Sequence, residues 1–290
     1  MEEPEITFFM VVTNKCLLIT DYTIKSYEKL KNINFRLLLY SNWIDEELKK
    51  VHFQKWRKYK FVDIIENTHQ TDDKKPNRKT SKYHLMGPFD RNDVVWDNEL
   101  SKINTPYVAT VDSDFEILNP KFIYRMLDKL KSDINLIAIS TDYNPLNENY
   151  YDTYSESYMT LSERWSPWFC IYKKGAFKCR VSHLYHKEII NGKTISWDSS
   201  GYFQKSLKED FGYKLETLEW KYQPCFIHYE NFNKNTQLTK KTIGLYRFVK
   251  ILGKRELFGH GAQIFIFLSK LLHKIFFRKI NRTKFITWEK

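Results

Sequence analysis

The chain has 290 residues, of which 42% are hydrophobic and 28% are charged, and its formal net charge is +12. This length and apolar content suit one large folded domain with an appendage and exclude a disordered chain. The four cysteines are scattered without a Cys-x-x-Cys pair, so the sequence predicts neither a zinc knuckle nor a disulfide framework.

The first third of the chain alternates between strand and helix patterns. The acidic start, Met-Glu-Glu-Pro-Glu, is the opposite of the basic and then apolar order of a secretory signal, so we expect a cytoplasmic protein. Residues 67–82 are polar and unpatterned and predict a loop. Alternating strands and helices indicate a parallel sheet. The elements predicted from hydrophobic spacing are strand Ile6–Val12, helix Asp21–Leu30, strand Phe35–Tyr40, helix Ile44–Tyr59 and strand Phe61–Ile65.

The same kinds of pattern continue to about residue 228. Residues 142–163 are rich in Tyr, Asn, Ser and Glu without a clear period, and we interpret them as an insertion that faces a substrate. The elements predicted here are helix Asp97–Ile103, a strand that ends at Asp112, helix Phe122–Leu130, strand Leu136–Ser140, strand Trp168–Tyr172, helix Ser182–Ile190, helix Ser199–Lys208, strand Lys214–Leu218 and strand Cys225–His228.

The predicted strand from Tyr107 ends in two carboxylates separated by one residue, Asp112-Ser113-Asp114. Strand residues alternate between faces, so Asp112 and Asp114 are expected on the same side at the carboxyl edge, where open α/β sheets bind ligands. Carboxylate oxygens suit Mg²⁺ or Mn²⁺ bound to a diphosphate. A simple turn after a buried strand is an equally open interpretation, because Asp and Ser are common turn residues.

Over residues 95–230, the order of motifs resembles that of nucleotide-sugar glycosyltransferases of the GT-A fold, broadly the large family two of inverting enzymes. Trp197 stands where that family commonly has Glu, and the N-terminal half matches by pattern only, through Val12-Thr13-Asn14. The resemblance implies an α/β, Rossmann-like fold with a mixed, mostly parallel sheet flanked by helices. The motifs that carry it are Asp97-Asn98-Glu99-Leu100, Asp112-Ser113-Asp114, Trp197-Asp198-Ser199-Ser200-Gly201, Phe211-Gly212-Tyr213 and Cys225-Phe226-Ile227-His228.

This resemblance also implies the chemistry of the site. It implies a metal-dependent, inverting transfer from a nucleotide-sugar, with a UDP-sugar as the expected donor and Mn²⁺ or Mg²⁺ bound by Asp112, Asp114 and His228. Asp198 is the implied catalytic base. From the residues alone, Asp198 also fits the N-cap of the following helix, and His228 also fits a structural histidine at a strand end. The residues implied to contact the nucleotide-sugar are Thr13, Asn14, Asp97, Asn98, Asp112 and Ser113.

Almost all of the net charge lies in the last part of the chain. Residues 238–290 contain nine Lys, four Arg and two Glu, a net charge of +11. Their apolar stretches are shorter than the roughly 20 residues that span a bilayer, and they suit a helix lying on an anionic membrane surface. A helical hairpin packed on the catalytic domain or on a second subunit is the alternative. We therefore predict a catalytic domain over residues 1–235 and a basic, amphipathic helical tail over residues 236–290.

The tail and the motifs together predict where the enzyme works. A membrane-bound enzyme at the inner face of the cell membrane is suited to a lipid-linked glycan acceptor, as in polysaccharide or lipopolysaccharide synthesis. No nucleic-acid recognition module accompanies the basic charge, so nucleic acid is not an expected partner. The rival classes are a non-catalytic GT-A-like scaffold, a nucleotidyltransferase, for which a Gly-rich phosphate loop is missing, and a haloacid-type phosphatase, whose two aspartates would follow the first strand.

Overall fold

The computed structural model describes residues 3–14, 17–42, 44–67, 92–144, 149–152, 157–160, 164–178, 186–197, 199–229, 243–244 and 247–248. Within them, the helices are α1 (Leu17–Ser26), α2 (Glu46–Trp56), α3 (Asn92–Glu99), α4 (Lys121–Ser132) and α5 (Ser199–Glu209). The strands are β1 (Ile6–Val12), β2 (Phe35–Ser41), β3 (Val62–Glu66), β4 (Tyr107–Asp112), β5 (Phe115–Ile117), β6 (Leu136–Ser140), β7 (Tyr143–Asn144), β8 (Asn149–Asp152), β9 (Ser157–Thr160), β10 (Arg164–Trp165), β11 (Phe169–Lys173), β12 (His186–Ile190), β13 (Lys193–Trp197), β14 (Lys214–Thr217) and β15 (Phe226–His228).

The centre of the molecule is a seven-stranded sheet with the order β14-β6-β11-β4-β1-β2-β3. Its strands pair in parallel, except that β11 runs antiparallel to both of its neighbours, β4 and β6. The carboxyl ends of the other six strands therefore meet at one edge, where Val11 of β1 pairs with Asp112 of β4. The predicted mixed, mostly parallel α/β sheet is confirmed.

Helices cover both faces of this sheet because neighbouring strand residues point in opposite directions. Phe8 of β1 belongs to a core that includes Trp56 of α2 and Leu127 of α4. The next residue, Phe9, lies on the other face in a cluster with Val95 of α3. All five side chains are at most 2% exposed. Strands buried on both faces explain why the sequence shows continuous apolar runs rather than alternation.

A hairpin replaces one predicted helix. The prediction of a helix over Ser182–Ile190 is wrong over His186–Ile190, which forms β12 and pairs with β13. The two residues between these strands are Asn191, with φ of 50°, and Gly192, with φ of 74°. A two-residue turn with both φ values positive favours Asn-Gly and matches the twist of paired strands, so it fixes the hairpin.

Most of the basic tail lies outside the described residues, which include only 243–244 and 247–248 of it. Except for Asn67, the predicted loop over residues 67–82 also lies outside them. In the part of the chain that the structure describes, no helix has both the length and the apolar character needed to cross a membrane. Ile243 is fully buried and packs in a small cluster with Ile19, Ile227 and Tyr229, so the start of the tail contacts the main domain.

Candidate functional site

A short two-stranded ladder brings Asp114 and His228 together, although 113 residues separate them in sequence. β4 ends at Asp112, and β5 begins at Phe115 after a turn at Ser113 and Asp114. β5 pairs antiparallel with β15, which sets His228 opposite Phe115. Phe115 is fully buried, with its ring centroid 4.6 Å from that of Phe169. This buried aromatic anchors the turn that carries the carboxylates.

Asp112, Asp114 and His228 form a cluster with the geometry of a metal site. Nε2 of His228 lies 3.5 Å from Oδ2 of Asp112 and 3.3 Å from Oδ1 of Asp114. The three candidate ligand atoms all lie within 4.8 Å of one another. Neighbouring ligands of an octahedral ion with bonds of 2.0–2.1 Å are about 3 Å apart. The residues present therefore fit a divalent ion such as Mg²⁺ or Mn²⁺, and imidazole favours Mn²⁺ of the two.

Two backbone hydrogen bonds hold the main chain at Asp112 and Asp114, and one ring contact orients His228. The amide of Tyr229 donates to the carbonyl of Asp114 at 3.0 Å, and the amide of Asp112 donates to the carbonyl of Trp168 at 2.9 Å. The indole ring of Trp168 stacks on the His228 ring, with centroids 5.0 Å apart and planes 21° apart. Trp168 therefore lies against the candidate ligand His228 and helps to orient its ring.

Two buried atoms of the cluster have unmet hydrogen-bonding capacity. Among the described residues, neither Oδ2 of Asp114 nor Nδ1 of His228 has a hydrogen-bond partner. The Asp114 side chain is 1% exposed, whereas that of Asp112 is 47% exposed. A buried carboxylate oxygen without a partner is costly, and a bound cation would satisfy it. The half-exposed Asp112 leaves this site open to a ligand from solvent.

The protonation of the cluster also indicates a site that is ready for a cation. Burial raises the pKa of Asp114, which a hydrogen bond with His228 partly offsets. Burial alone would lower the pKa of His228, but hydrogen bonds and the charges of Asp112 and Asp114 outweigh it and raise that pKa to about 9. A raised pKa favours the protonated imidazole of His228, whose positive charge partly offsets the negative charge of the carboxylates beside it. A divalent ion would take over that role with the imidazole neutral.

The residues predicted to contact the nucleotide occupy different positions. Thr13 and Asn14 follow the carboxyl end of β1, beside the end of β4, and both are half-buried. The amide of Asn14 donates to Oδ2 of Asp45 at 2.7 Å, and its oxygen accepts from the backbone N–H of Asp45 at 2.9 Å. Asn14 therefore holds the residue that precedes α2. Ser113 lies half-buried in the turn between the two carboxylates.

The remaining predicted site residues lie on α3 or directly before α5. Asn98 is exposed on α3. The side chain of Asp97 is outside the described residues. Asp198, the predicted base, is also outside them, and α5 begins directly after it at Ser199.

Glu116 is a buried charge that the sequence reasoning missed. It is 3% exposed and accepts a hydrogen bond of 2.6 Å from the hydroxyl of Tyr229. Nε of Arg247 lies 2.9 Å from both of its carboxylate oxygens, and Nη2 lies 2.8 Å from Oε1. A lone acidic residue within the otherwise apolar run Phe115–Leu118 is the signal that could have drawn attention to it.

We expect Mn²⁺ to raise the thermal unfolding midpoint of the wild-type chain. A ligand at 100 times its dissociation constant stabilises the folded state by about 2.7 kcal/mol, which corresponds to roughly 5–10 °C for a domain of this size. His228→Asn removes one ligand and should abolish most of this shift, while Asp128→Asn, an exposed change on α4, should leave it intact. Equal shifts in His228→Asn and wild type would exclude His228 as a ligand.

The sequence matches no protein-family model and no curated protein. The structure is similar to several solved structures. A mannosyltransferase from Pyrobaculum calidifontis, in complex with GDP-Man and Mn²⁺, is 12% identical with a TM-score of 0.46; the match covers 75% of this chain and 55% of that one. Glucosyl-3-phosphoglycerate synthase from Mycobacterium tuberculosis, in complex with Mn²⁺ and uridine diphosphate, is 9% identical with a TM-score of 0.46, covering 86% and 79%.

A third similar structure is the bifunctional glycosyltransferase WbbM, which is 9% identical with a TM-score of 0.47, covering 85% of this chain and 52% of that one. The chain thus spans about half the length of the mannosyltransferase and of WbbM. The likeness at these identities and TM-scores does not assign an activity to the chain.

Proposed function

We propose that this chain is a metal-dependent glycosyltransferase that moves a sugar from a nucleotide-sugar donor to a hydroxyl of a glycan acceptor. The observation that carries the proposal is the cluster of Asp112, Asp114 and His228 at the carboxyl edge of an α/β sheet. This edge is where such sheets bind nucleotides. The ligand set suits a divalent ion, and the motif order resembles that of GT-A enzymes.

The chemistry of sugar transfer explains why such a site is needed. Breaking the bond between the anomeric carbon and the diphosphate leaves negative charge on the departing nucleoside diphosphate. A bound divalent ion supplies compensating positive charge at this position. Asp114 would hold such an ion from the turn before β5, His228 from the end of β15, and Asp112 from the end of β4. Thr13 and Ser113 lie on the same edge, where their hydroxyls can bond to the ribose or phosphates of the donor.

The burial of Asp114 argues against a non-catalytic scaffold. A carboxylate that is 1% exposed and has an oxygen without a hydrogen-bond partner lowers stability unless a ligand compensates for it. A scaffold gains nothing from this arrangement, since Asn or Leu would fill the position without burying a charge. A metal-binding enzyme requires it.

Asp198 is proposed as the base that takes the proton of the acceptor hydroxyl. A positioned carboxylate commonly contributes about 10²–10⁴-fold in this role. Attack on the anomeric carbon from the side opposite the leaving group inverts its configuration, so the proposed reaction is inverting. A UDP-sugar is the proposed donor, with Mn²⁺ as the proposed metal.

The acceptor is proposed to be a glycan that extends along β14. An open cavity of about 740 Å³ follows this edge strand, and three of its lining residues are the aromatic side chains Tyr143, Trp165 and Tyr213. The rings of Tyr143 and Trp165 are 4.8 Å apart. The carboxyl end of β14 lies at the same sheet edge as Asp112. Aromatic faces along such a groove suit the apolar faces of sugar rings.

The basic tail is proposed to hold the enzyme on an anionic membrane, where a lipid-linked acceptor would be presented. Residues 251–290 contain six Lys, three Arg and two Glu, a net charge of +7. Each basic residue near an anionic surface contributes about 1 kcal/mol to binding. The described contacts of Ile243 and Arg247 lie before this stretch, so residues 251–290 can be removed without touching them.

Deleting residues 251–290 is expected to release the protein from anionic vesicles. The wild-type chain should sediment with vesicles rich in phosphatidylglycerol and stay in solution with phosphatidylcholine alone. The double variant Lys58→Gln, Lys60→Gln, which removes two basic charges from the main domain, should sediment like wild type. Sedimentation of the deletion variant with anionic vesicles would refute the membrane part of the proposal and leave the metal site untouched.

A further inference from the structure

β5, which directly follows Asp114, and β15, which ends at His228, form a ladder of only three residue pairs. So short a ladder needs further contacts with the rest of the domain to hold it in place. Ile117 of β5 donates its backbone N–H to the hydroxyl of Ser26 at 2.9 Å, and its carbonyl accepts from Nζ of Lys29 at 2.5 Å. Both contacts come from the end of α1 and the turn after it. They hold the ladder on one side.

The start of the basic tail contacts the same ladder. Ile243 is fully buried against Ile227 of β15 and Tyr229. Four residues later, the guanidinium of Arg247 meets the Glu116 carboxylate through Nε and Nη2, at 2.8–2.9 Å. Planar arginine–carboxylate pairs of this kind fix geometry as well as charge.

Glu116 connects this contact to the candidate metal ligands. It lies two residues after Asp114, and its ladder partner Ile227 directly precedes His228. Its carboxylate also accepts the Tyr229 hydroxyl bond, and the Tyr229 amide in turn donates to the Asp114 carbonyl. One buried carboxylate therefore joins Arg247 to β5, which follows Asp114, and to Tyr229, which follows His228.

We propose that Arg247 is a positioning residue for the metal site, acting through Glu116 and the β5–β15 ladder. The inference rests on the proposed metal-dependent function. On this view, the contacts that Ile243 and Arg247 make with the ladder and with Glu116 help to set the metal affinity of the site. Residues that orient metal ligands from outside the ligand shell commonly affect metal affinity about 10–100-fold.

The test is the affinity of the full-length chain for Mn²⁺ alone, measured by calorimetry or by the electron paramagnetic resonance signal of free Mn²⁺. Arg247→Met should raise the dissociation constant about tenfold. Arg247→Lys keeps the charge but not the two-point geometry, and should fall between wild type and Arg247→Met. Arg125→Met is the matched control, since it removes an arginine that bonds to Glu219 through Nε and Nη2 at 3.0–3.1 Å, outside the ladder. It should bind Mn²⁺ as wild type does.

A second variant separates positioning from simple loss of stability. Arg247→Met leaves the buried Glu116 charge without its main partner and is expected to lower the unfolding midpoint of the metal-free chain. The double variant Glu116→Gln, Arg247→Met removes that charge, and its midpoint should return towards wild type while Mn²⁺ binding stays weak. Wild-type Mn²⁺ affinity in the double variant would overturn the positioning role of Arg247 and would leave the proposed function intact. Absence of Mn²⁺ binding by the wild-type chain would overturn the proposed function and, with it, the inference.

Discussion

Asp114→Asn is expected to lower metal-dependent turnover about 10³-fold, the upper range for removal of one group that stabilises transition-state charge. Asn has nearly the size of Asp and can still accept a hydrogen bond from His228, so the ladder should remain folded. It has no negative charge, however, and its amide oxygen is a weaker ligand for a divalent ion. The largest effect should therefore appear in kcat and in Mn²⁺ affinity together.

The controls for this change are the unfolding midpoint in EDTA and an exposed carboxylate variant. Asp114→Asn should unfold at or above the wild-type temperature without metal, because burial disfavours the charged form of Asp114 and raises its pKa despite the contact with His228. Asp128→Asn, on the exposed face of α4, should retain full turnover. Wild-type turnover in Asp114→Asn, at saturating Mn²⁺, would show that the cluster does not serve catalysis.

Asp198→Asn is expected to lower transfer to the acceptor about 10²–10⁴-fold. Asn cannot take the proton of the attacking hydroxyl, but it caps a helix about as well as Asp does. The variant should therefore keep the wild-type unfolding midpoint, Mn²⁺ affinity and donor binding. Asp198→Ala should lose both the base and any N-cap of α5, so a lower midpoint in this variant alone would separate the two roles.

Kinetics with saturating acceptor provide the measurement, and the anomeric configuration of the product, determined by nuclear magnetic resonance, tests inversion. A variant that transfers sugar as fast as wild type would restrict Asp198 to helix capping. Retention of the donor's configuration would contradict the single in-line displacement on which its role as base depends.

The sheet and the two carboxylates of the candidate site, Asp112 and Asp114, could be predicted from sequence because both depend on local patterns. Apolar runs between helical segments predicted β1, β2 and β4, and the two carboxylates stand out at the end of β4. The three-residue strand β5 was not predicted, since so short a run carries no periodicity. His228 was predicted by family resemblance, and the ladder with β5 supplies the physical reason that it reaches Asp114.

Other features could not be predicted because they depend on distant or competing interactions. Nothing in the local sequence indicates that Glu116 pairs with Arg247, 131 residues away. The spacing of apolar and charged residues in His186–Ile190 is compatible with a helix. The Asn191-Gly192 turn nevertheless favours a hairpin, and these residues form a strand. Asn14 fits a nucleotide contact by its position, but the structure shows its amide bonded to Asp45.

The most direct test of metal-dependent sugar transfer by this chain is a screen for release of nucleoside diphosphate from UDP-, GDP- and dTDP-sugars, with Mn²⁺ and with EDTA, for wild type and Asp114→Ala. We predict release from at least one donor by the wild-type chain, dependent on Mn²⁺ and lost in Asp114→Ala. Release that continues in EDTA or in Asp114→Ala would contradict the account. So would a wild-type chain that binds Mn²⁺ but cleaves none of the donors, even when glycan acceptors are present.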